Sequence, residues 1–146
     1  KRLIGRSYRT APKWSVNGKW AVMYDPIAQV WNKFDGATGK VVNISDAIGY
    51  PMFMESYDKP APAPAYGIAG WTADGNNVFL YDAYDWWKID LTGERQPECL
   101  TKGYGRKHGK SIRKMTSNID KDVFQKDEKV IVSLWDKDTM DEGLSA

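Results

Sequence analysis

The sequence predicts an all-β fold, and three observations support this expectation. A block of strand and turn signals that begins at Trp14 returns at Trp71, and Gly18 returns at Gly75 with the same separation. The apolar runs are short, and turn residues separate them without the period of an amphipathic helix. Aromatic residues make up 13% of the chain, and aromatic side chains favour strands. One ordered set of signals recurring at a fixed spacing is typical of a repeat architecture.

The first repeat unit is predicted over residues 12–45. Asn17-Gly18 opens a tight turn there, because glycine adopts positive φ without steric cost. Strands are then expected over residues 20–24, 28–34 and 41–44, and a hairpin connection at residues 35–39 joins the last two. Three or four short strands in this order predict one small antiparallel sheet, the blade of a β-propeller.

A proline-rich insertion follows over residues 46–65. Its prolines remove backbone donors and interrupt any strand ladder: Pro51, Pro60, Pro62 and Pro64. One interpretation is a flexible interdomain linker, and another is an ordered segment that crosses the rim between two blades. Apolar anchors within it favour the ordered segment: Met52, Phe53, Met54 and Tyr57.

The second repeat unit is predicted over residues 66–101, with strands at residues 78–81, 86–90 and 98–100. Residues 102–146 then provide only part of a third unit. Within them we expect a basic loop at residues 103–110, a short helix over residues 117–129 capped by Ser117 or Asn118, and a strand at residues 130–134. The predicted fold class is therefore a fragment of a β-propeller, with about two blades of antiparallel sheet plus part of a third.

Composition narrows the classes of partner. The chain has 146 residues, and 21 Lys and Arg against 19 Asp and Glu leave a net charge of +2. That charge is too small to indicate a nucleic-acid partner. No apolar run approaches the roughly 20 residues of a membrane span, and no signal peptide is recognisable at Lys1-Arg2. Cys99 is the only cysteine, which excludes an intramolecular disulfide.

No residue is predicted to be catalytic, to bind a cofactor or to ligate a metal. The sequence has no Gly-x-Ser-x-Gly nucleophile motif, and its only histidine, His108, is expected to be solvated in a glycine- and lysine-rich loop. Gly103-x-Gly105-x-x-x-Gly109, with Arg106, Lys107 and Lys110, could cradle a phosphate. It misses the spacing of a phosphate-binding loop by one residue, so an exposed turn-rich loop is expected there.

Three further motifs have a structural interpretation beside a functional one. Residues 136–143 resemble the start of a calcium loop but lack its sixth-position glycine, since Asp141 stands there. Asn43-Ile44-Ser45 matches a glycosylation sequon, although its predicted strand position argues against use. Asp25, Asp82 and Asp85 end strands, where they could line a central funnel or, more simply, cap turn amides.

The repeat also carries a family resemblance. The Trp-Ser-x-x-Gly-Lys element at residues 14–19, the Asp-x-x-Thr-Gly-Lys element at residues 35–40 and Ile44-Ser45 resemble the blade consensus of TolB-like and WD-type propellers. Residues 66–71, 81–90 and 100–107 are more specific. They resemble the N-terminal propeller of bacterial, Bacteroides-type prolyl oligopeptidase-family serine peptidases, a group that includes dipeptidyl aminopeptidases. The similarity extends over residues 14–143.

The resemblance implies a non-catalytic role for this chain. In such enzymes the propeller caps an α/β-hydrolase domain that carries the Ser, Asp and His, so the expected partners are that domain of the same parent chain and a peptide substrate. A periplasmic or exported parent protein is implied as well. Arg95 and Glu98 lie beside a turn and could contact a peptide amino terminus. The alternative is a non-enzymatic TolB-like or carbohydrate-binding propeller. In either case, open blade edges predict association into homo-oligomers.

Overall fold

The computed structural model describes residues 12–55, 57–114, 123–124, 132–136 and 142–145. Strands dominate these residues, which confirms the all-β expectation. The strands are β1 (Lys13–Trp14), β2 (Trp20–Asp25), β3 (Val30–Asp35), β4 (Val41–Asn43), β5 (Ile68–Thr72), β6 (Asn77–Tyr81), β7 (Trp86–Asp90), β8 (Glu98–Cys99), β9 (Lys110–Lys114), β10 (Val123–Phe124), β11 (Val132–Asp136) and β12 (Glu142–Ser145). A 3-10 turn covers Asp46–Ile48, and one short helix, α1, covers Tyr104–His108.

The strands form three sheets in chain order. The first has the order β1-β2-β3-β4, and every pair in it is antiparallel. In the second, β5-β6-β7-β8 repeats this antiparallel meander, and β10 adds to β5 in parallel. The third has the order β12-β11-β9 and is antiparallel. Each sheet is therefore built mainly from strands that follow one another along the chain.

Two local predictions were wrong. The helix expected over residues 117–129 is contradicted at its described residues, because Val123 and Phe124 form β10 and pair with Trp71 and Thr72. The rest of that segment lies outside the described residues. The exposed loop expected at residues 103–110 instead contains α1 and the first residue of β9. In both places contacts with the second sheet outweigh weak local preferences.

Corresponding faces of the first two sheets point in the same direction, from each sheet toward the next sheet in chain order. Val22 and Tyr24 of β2 point into the core between the first and second sheets. Their counterparts in the second repeat unit, Phe79 and Tyr81 of β6, point into the core that the second sheet shares with β9 and β11. On the opposite face of β6, Val78 and Leu80 return to the first of these cores. Equivalent faces thus point toward the following sheet in both units.

The proline-rich segment is packed against the core. Ile48 and Met52 are buried in the cluster between the first two sheets, and Phe53 packs on that cluster and forms a β-bridge with Ala65. The backbone amide of Met54 donates to the carbonyl of Pro64 at 2.8 Å. These contacts pack the segment against the core between the first two sheets, which favours an ordered insertion over a flexible linker.

Direct polar contacts join the first two units. The side-chain amide of Asn17 donates to the carbonyl oxygen of Asp74 at 3.1 Å, and the Lys33 ammonium donates to the carbonyl of Leu91. The Lys33 ammonium also lies 5.9 Å from the ring centroid of Trp20.

Among the described residues, no helix has the length and apolar character needed to cross a membrane.

Candidate functional site

The first component of the site is the turn between β6 and β7. Asp82 is fully buried, and its Oδ1 accepts hydrogen bonds from the amides of Tyr84 and Asp85, both at 2.7 Å. Asp25, the equivalent residue of the first unit, caps its own turn in the same way, through the amides of Ile27 and Ala28. The turn-capping interpretation of both residues is confirmed. Asp82 Oδ2 also accepts from the Trp87 indole at 2.9 Å.

Asp85 connects this turn to α1. Its carboxylate is 2% exposed and accepts hydrogen bonds from the Thr101 hydroxyl at 2.6 Å, from the Gly105 amide at 2.8 Å and from the Arg106 amide at 3.0 Å. A Cβ on Gly105 would lie 2.6 Å from the carbonyl oxygen of Lys110, so only glycine fits this approach. The amides that a phosphate would need in a glycine-rich cradle are thus already bound by a carboxylate of the chain itself.

Arg106 is the central cation of the site. Its guanidinium carbon lies 4.3 Å from the ring centroid of Tyr50 and 4.9 Å from that of Tyr84, so the two rings restrict its position. Nη2 lies 3.7 Å from an oxygen of Asp82 and 3.7 Å from an oxygen of Glu55. Both separations exceed hydrogen-bonding distance. Nε and Nη2 are buried and have no hydrogen-bond partner within the described part of the chain.

A second arginine supports the same turn from β9. Arg113 donates to the carbonyl oxygens of Asp82 at 2.7 Å and Ile112 at 2.8 Å, and its guanidinium lies over the rings of Tyr66 and Tyr81. Burial lowers the pKa of Arg113, because desolvation disfavours the cation. Burial likewise raises the pKa of Tyr81 and of Tyr66. Since its guanidinium is bonded to backbone carbonyls, Arg113 serves the structure of the turn.

A cleft of about 390 Å³ opens beside Arg106. Tyr50, Trp87 and Cys99 contribute its less polar wall, while the exposed Lys102 and Lys107 extend its cationic side. The Cys99 sulfur accepts a hydrogen bond from the Gly103 amide at 3.2 Å, which holds the loop before α1 against β8. The site therefore joins residues from the proline-rich segment, the second sheet and α1.

The other candidate residues lie elsewhere. His108 is exposed and stacks on Tyr104, with ring centroids 4.2 Å apart, as expected for a solvated histidine. Arg95 and Glu98 line a separate polar groove of about 320 Å³ with Asp74, Lys88 and Asp90. Asn43 caps a turn through the amides of Ser45 and Asp46, and Ser45 is buried with its hydroxyl accepting from the Trp31 amide.

The calcium-like stretch cannot be compared residue by residue, because residues 137–141 lie outside the described part of the chain. Within the described residues, no group of His, Cys, Asp or Glu side chains is arranged to hold a metal ion. Sequence reasoning singled out Asp82 and Asp85, considered Arg106 only as part of a basic loop that could hold a phosphate, and missed Arg113. The environments of the two arginines give no sequence signal, because their partners lie far away along the chain and are recognisable only in the fold.

Comparison with known proteins provides no family for this chain. No protein-family model, no curated protein and no solved structure matches it.

Proposed function

We propose that this chain forms consecutive blades of a β-propeller that belongs to a prolyl oligopeptidase-family serine peptidase and has no catalytic residue of its own. In this proposal the blades gate or position peptides for an α/β-hydrolase domain of the same parent chain, in a periplasmic or exported protein. The observation that carries the blade assignment is the common orientation of the first two sheets, and the peptidase assignment rests on the sequence resemblance.

The orientation argument separates a blade stack from a symmetric pair of sheets. In a pair related by a two-fold axis, Val22 and Tyr24 would meet Phe79 and Tyr81, because the same surface faces itself. Here the face of β2 that carries Val22 and Tyr24 meets the opposite face of the second sheet, which carries Val78 and Leu80. Such a head-to-tail relation can be repeated, as successive blades of a ring require.

A non-catalytic role agrees with the environment of the only histidine. A Ser-His-Asp triad needs an imidazole hydrogen-bonded to both a serine and a buried carboxylate. His108 is exposed and stacked on Tyr104, while Asp82 and Asp85 are bonded to backbone amides and, for Asp82, to Trp87. In this proposal, hydrolysis is carried out by the α/β-hydrolase domain of the parent chain.

The test uses the complete protein encoded by the reading frame that contains this chain. The proposal predicts a Gly-x-Ser-x-Gly motif, followed by Asp and His, downstream of Ala146. The purified protein should react with a fluorophosphonate probe and release p-nitroaniline from dipeptide p-nitroanilides, and a Ser→Ala variant of the motif should do neither. A reading frame without a hydrolase domain, or a protein inert to both reagents, would overturn the peptidase assignment.

A second function is favoured by one observation. Trp14 is 48% exposed and lines a shallow groove of about 510 Å³ with Trp20 and Asp35. An exposed indole beside polar groups is suited to stacking on a sugar ring, which would make the chain part of a carbohydrate-binding propeller. If so, affinity electrophoresis in polysaccharide gels should retard the chain, and Trp14→Ala should abolish the retardation. Equal mobility of the two proteins in every polysaccharide would argue against this function.

A further inference from the structure

We infer that the cleft beside Arg106 is a binding site for a small organic carboxylate. This inference does not depend on the peptidase assignment, because the cleft and its charges belong to the second sheet, α1 and the proline-rich segment alone.

The available charge in the cleft is positive. Asp85 is the acidic residue in its wall, and its two oxygens already accept from Thr101, Gly105 and Arg106. A carboxylate saturated in this way is a poor acceptor for a further cation. Arg106 is balanced by Glu55 and Asp82, but the exposed Lys102 and Lys107 add two further cations to the lining of the cleft. An anion would be attracted here, whereas a cationic ligand would be repelled.

Arg106 is preorganised and incompletely bonded. The rings of Tyr50 and Tyr84 hold its guanidinium, so little side-chain freedom remains to be lost when a ligand binds. Two of its nitrogens lack hydrogen-bond partners among the described residues, although buried donors are normally paired. Both nitrogens are buried, so a ligand reaches Nη2 by displacing Glu55, the exposed carboxylate beside it. A planar guanidinium suits a ligand carboxylate, whose two oxygens can accept together.

The position of Glu55 indicates which chemical group of a ligand would contact Arg106. Its side chain is 41% exposed and approaches Arg106 Nη2 only to 3.7 Å, so it neutralises the guanidinium without making a hydrogen bond. Asp82, at the same distance, is buried and tied to Tyr84, Asp85 and Trp87. Glu55 is thus the weakly held carboxylate of the pair. A ligand carboxylate would compete with Glu55 for Arg106, and binding would loosen the proline-rich segment at this point.

The less polar wall defines the rest of the ligand. Tyr50, Trp87 and Cys99 border the cleft, whose volume of about 390 Å³ lies within the usual range for small-molecule sites. A carboxylate attached to a short apolar or aromatic group satisfies both halves of the site. The C-terminus of a peptide with a large apolar last residue is one ligand of this class.

The test measures binding of acetyl-Gly-Phe with a free carboxylate to the 146-residue chain by isothermal titration calorimetry. We expect Arg106→Gln to weaken binding at least about tenfold, because charge-assisted hydrogen bonds are lost. Glu55→Gln should strengthen it about two- to fivefold, since a competing exposed ion pair is removed. Lys40→Gln, which removes the same unit of charge at an exposed position of the first unit, is the charge control and should leave affinity unchanged.

The remaining probes distinguish the class of ligand. Acetyl-Gly-Phe amide, which differs only by lacking the charge, should not bind measurably. Inorganic phosphate binding more tightly than the free carboxylate would overturn the carboxylate assignment. Equal affinity of the Arg106→Gln variant and the unmodified chain, with circular dichroism showing both folded, would overturn the site itself. Should Arg106→Gln fail to fold, a Glu55→Gln variant without tighter binding would have the same consequence.

Discussion

The side-chain amide of Asn17 donates to the backbone carbonyl of Asp74, the residue that occupies the same turn position in the next repeat unit. Each of the two side chains also accepts from its own turn, Asn17 from the Lys19 amide and Asp74 from the Asn76 amide. Two copies of one turn thus contact each other at the same end of adjacent sheets. This contact requires the equivalent ends of the first two sheets to lie side by side. The common orientation of the two sheets requires the same arrangement.

Gly75 lies at this contact, and its substitution should destabilise the chain. Its φ is +76°, and a Cβ would lie 2.7 Å from the backbone nitrogen of Asn17. Its counterpart Gly18 has φ +73° but open space around the Cβ position. Both Gly→Ala variants should lose about 1–2 kcal/mol to a left-handed alanine. Gly75→Ala should lose at least about 1 kcal/mol more, because overpacking displaces the neighbouring turn.

Urea denaturation of the two glycine variants measures this difference, and the matched φ values remove the backbone strain common to both. Equal free energies of unfolding would show that the turns do not contact each other in solution.

A second, independent check is Asn17→Ala, which removes the donor without adding volume. It should cost less than Gly75→Ala, because the hydrogen bonds of Asn17 to the second unit are exposed.

Asp85 should contribute more to stability than any exposed turn carboxylate. Asp85→Asn replaces an acceptor of three hydrogen bonds by an amide whose NH2 group faces other donors, at a buried position. We expect a loss of about 2–3 kcal/mol in the free energy of unfolding. Asp35→Asn is the control, since Asp35 caps an exposed turn that asparagine caps equally well, and it should stay within about 0.5 kcal/mol. Similar losses in both variants would contradict the assigned role of Asp85.

The strands could be predicted from the sequence because their signals are local. The prediction at residues 86–90 matches β7, and those at residues 20–24 and 78–81 match β2 and β6 to one residue. Tyr-Asp at the end of an apolar run marks the buried turns correctly, since the aspartate and the amides that it caps are close neighbours in the chain. Short-range hydrogen bonding leaves a short-range pattern in the sequence.

The remainder depends on contacts between distant residues. Helix α1 contains Gly105, which disfavours helix, and its amides bond to Asp85, which belongs to an earlier turn of the chain. Val123 and Phe124 pair with β5, much earlier in the chain, although their sequence pattern is equally compatible with one face of a helix. The environment of Arg106 likewise combines three segments. None of these pairings has a fixed separation along the chain from which it could be predicted.

Stability should fall at alkaline pH because of Tyr24. Burial, and next the charge of Asp25, raise the pKa of Tyr24 from 10.0 to about 12. Its folded-state pKa therefore exceeds its unfolded value, so the unfolded chain releases the proton first as pH rises. The contribution is complete below pH 10 and is lost as pH rises toward 12. Burial raises the pKa of Tyr81 as well, which acts in the same direction.

Urea midpoints at about pH 9 and about pH 11.5 check this dependence. Tyr24→Phe removes the titrating group and should reduce the fall in stability between the two pH values. Tyr104→Phe, which removes the hydroxyl of an exposed tyrosine, should leave it unchanged. The interpretation is wrong if Tyr24→Phe and the unmodified chain lose the same stability over this range.

The edge strand β4 should mediate association of the chain. It pairs with β3 on one side, and on it Val41 and Val42 are 44% and 45% exposed. An edge strand with exposed valines offers both unpaired backbone groups and apolar surface to a second copy.

We expect light scattering after size-exclusion chromatography to show species larger than a monomer at high concentration. Val42→Lys should shift these toward the monomer, because a lysine on an edge strand opposes pairing. Val16→Lys adds the same charge at a turn residue that is 51% exposed, and it should not alter the distribution. A clean monomer at high concentration for the unmodified chain would contradict the prediction, and equal effects of the two lysines would assign association to net charge instead of to β4.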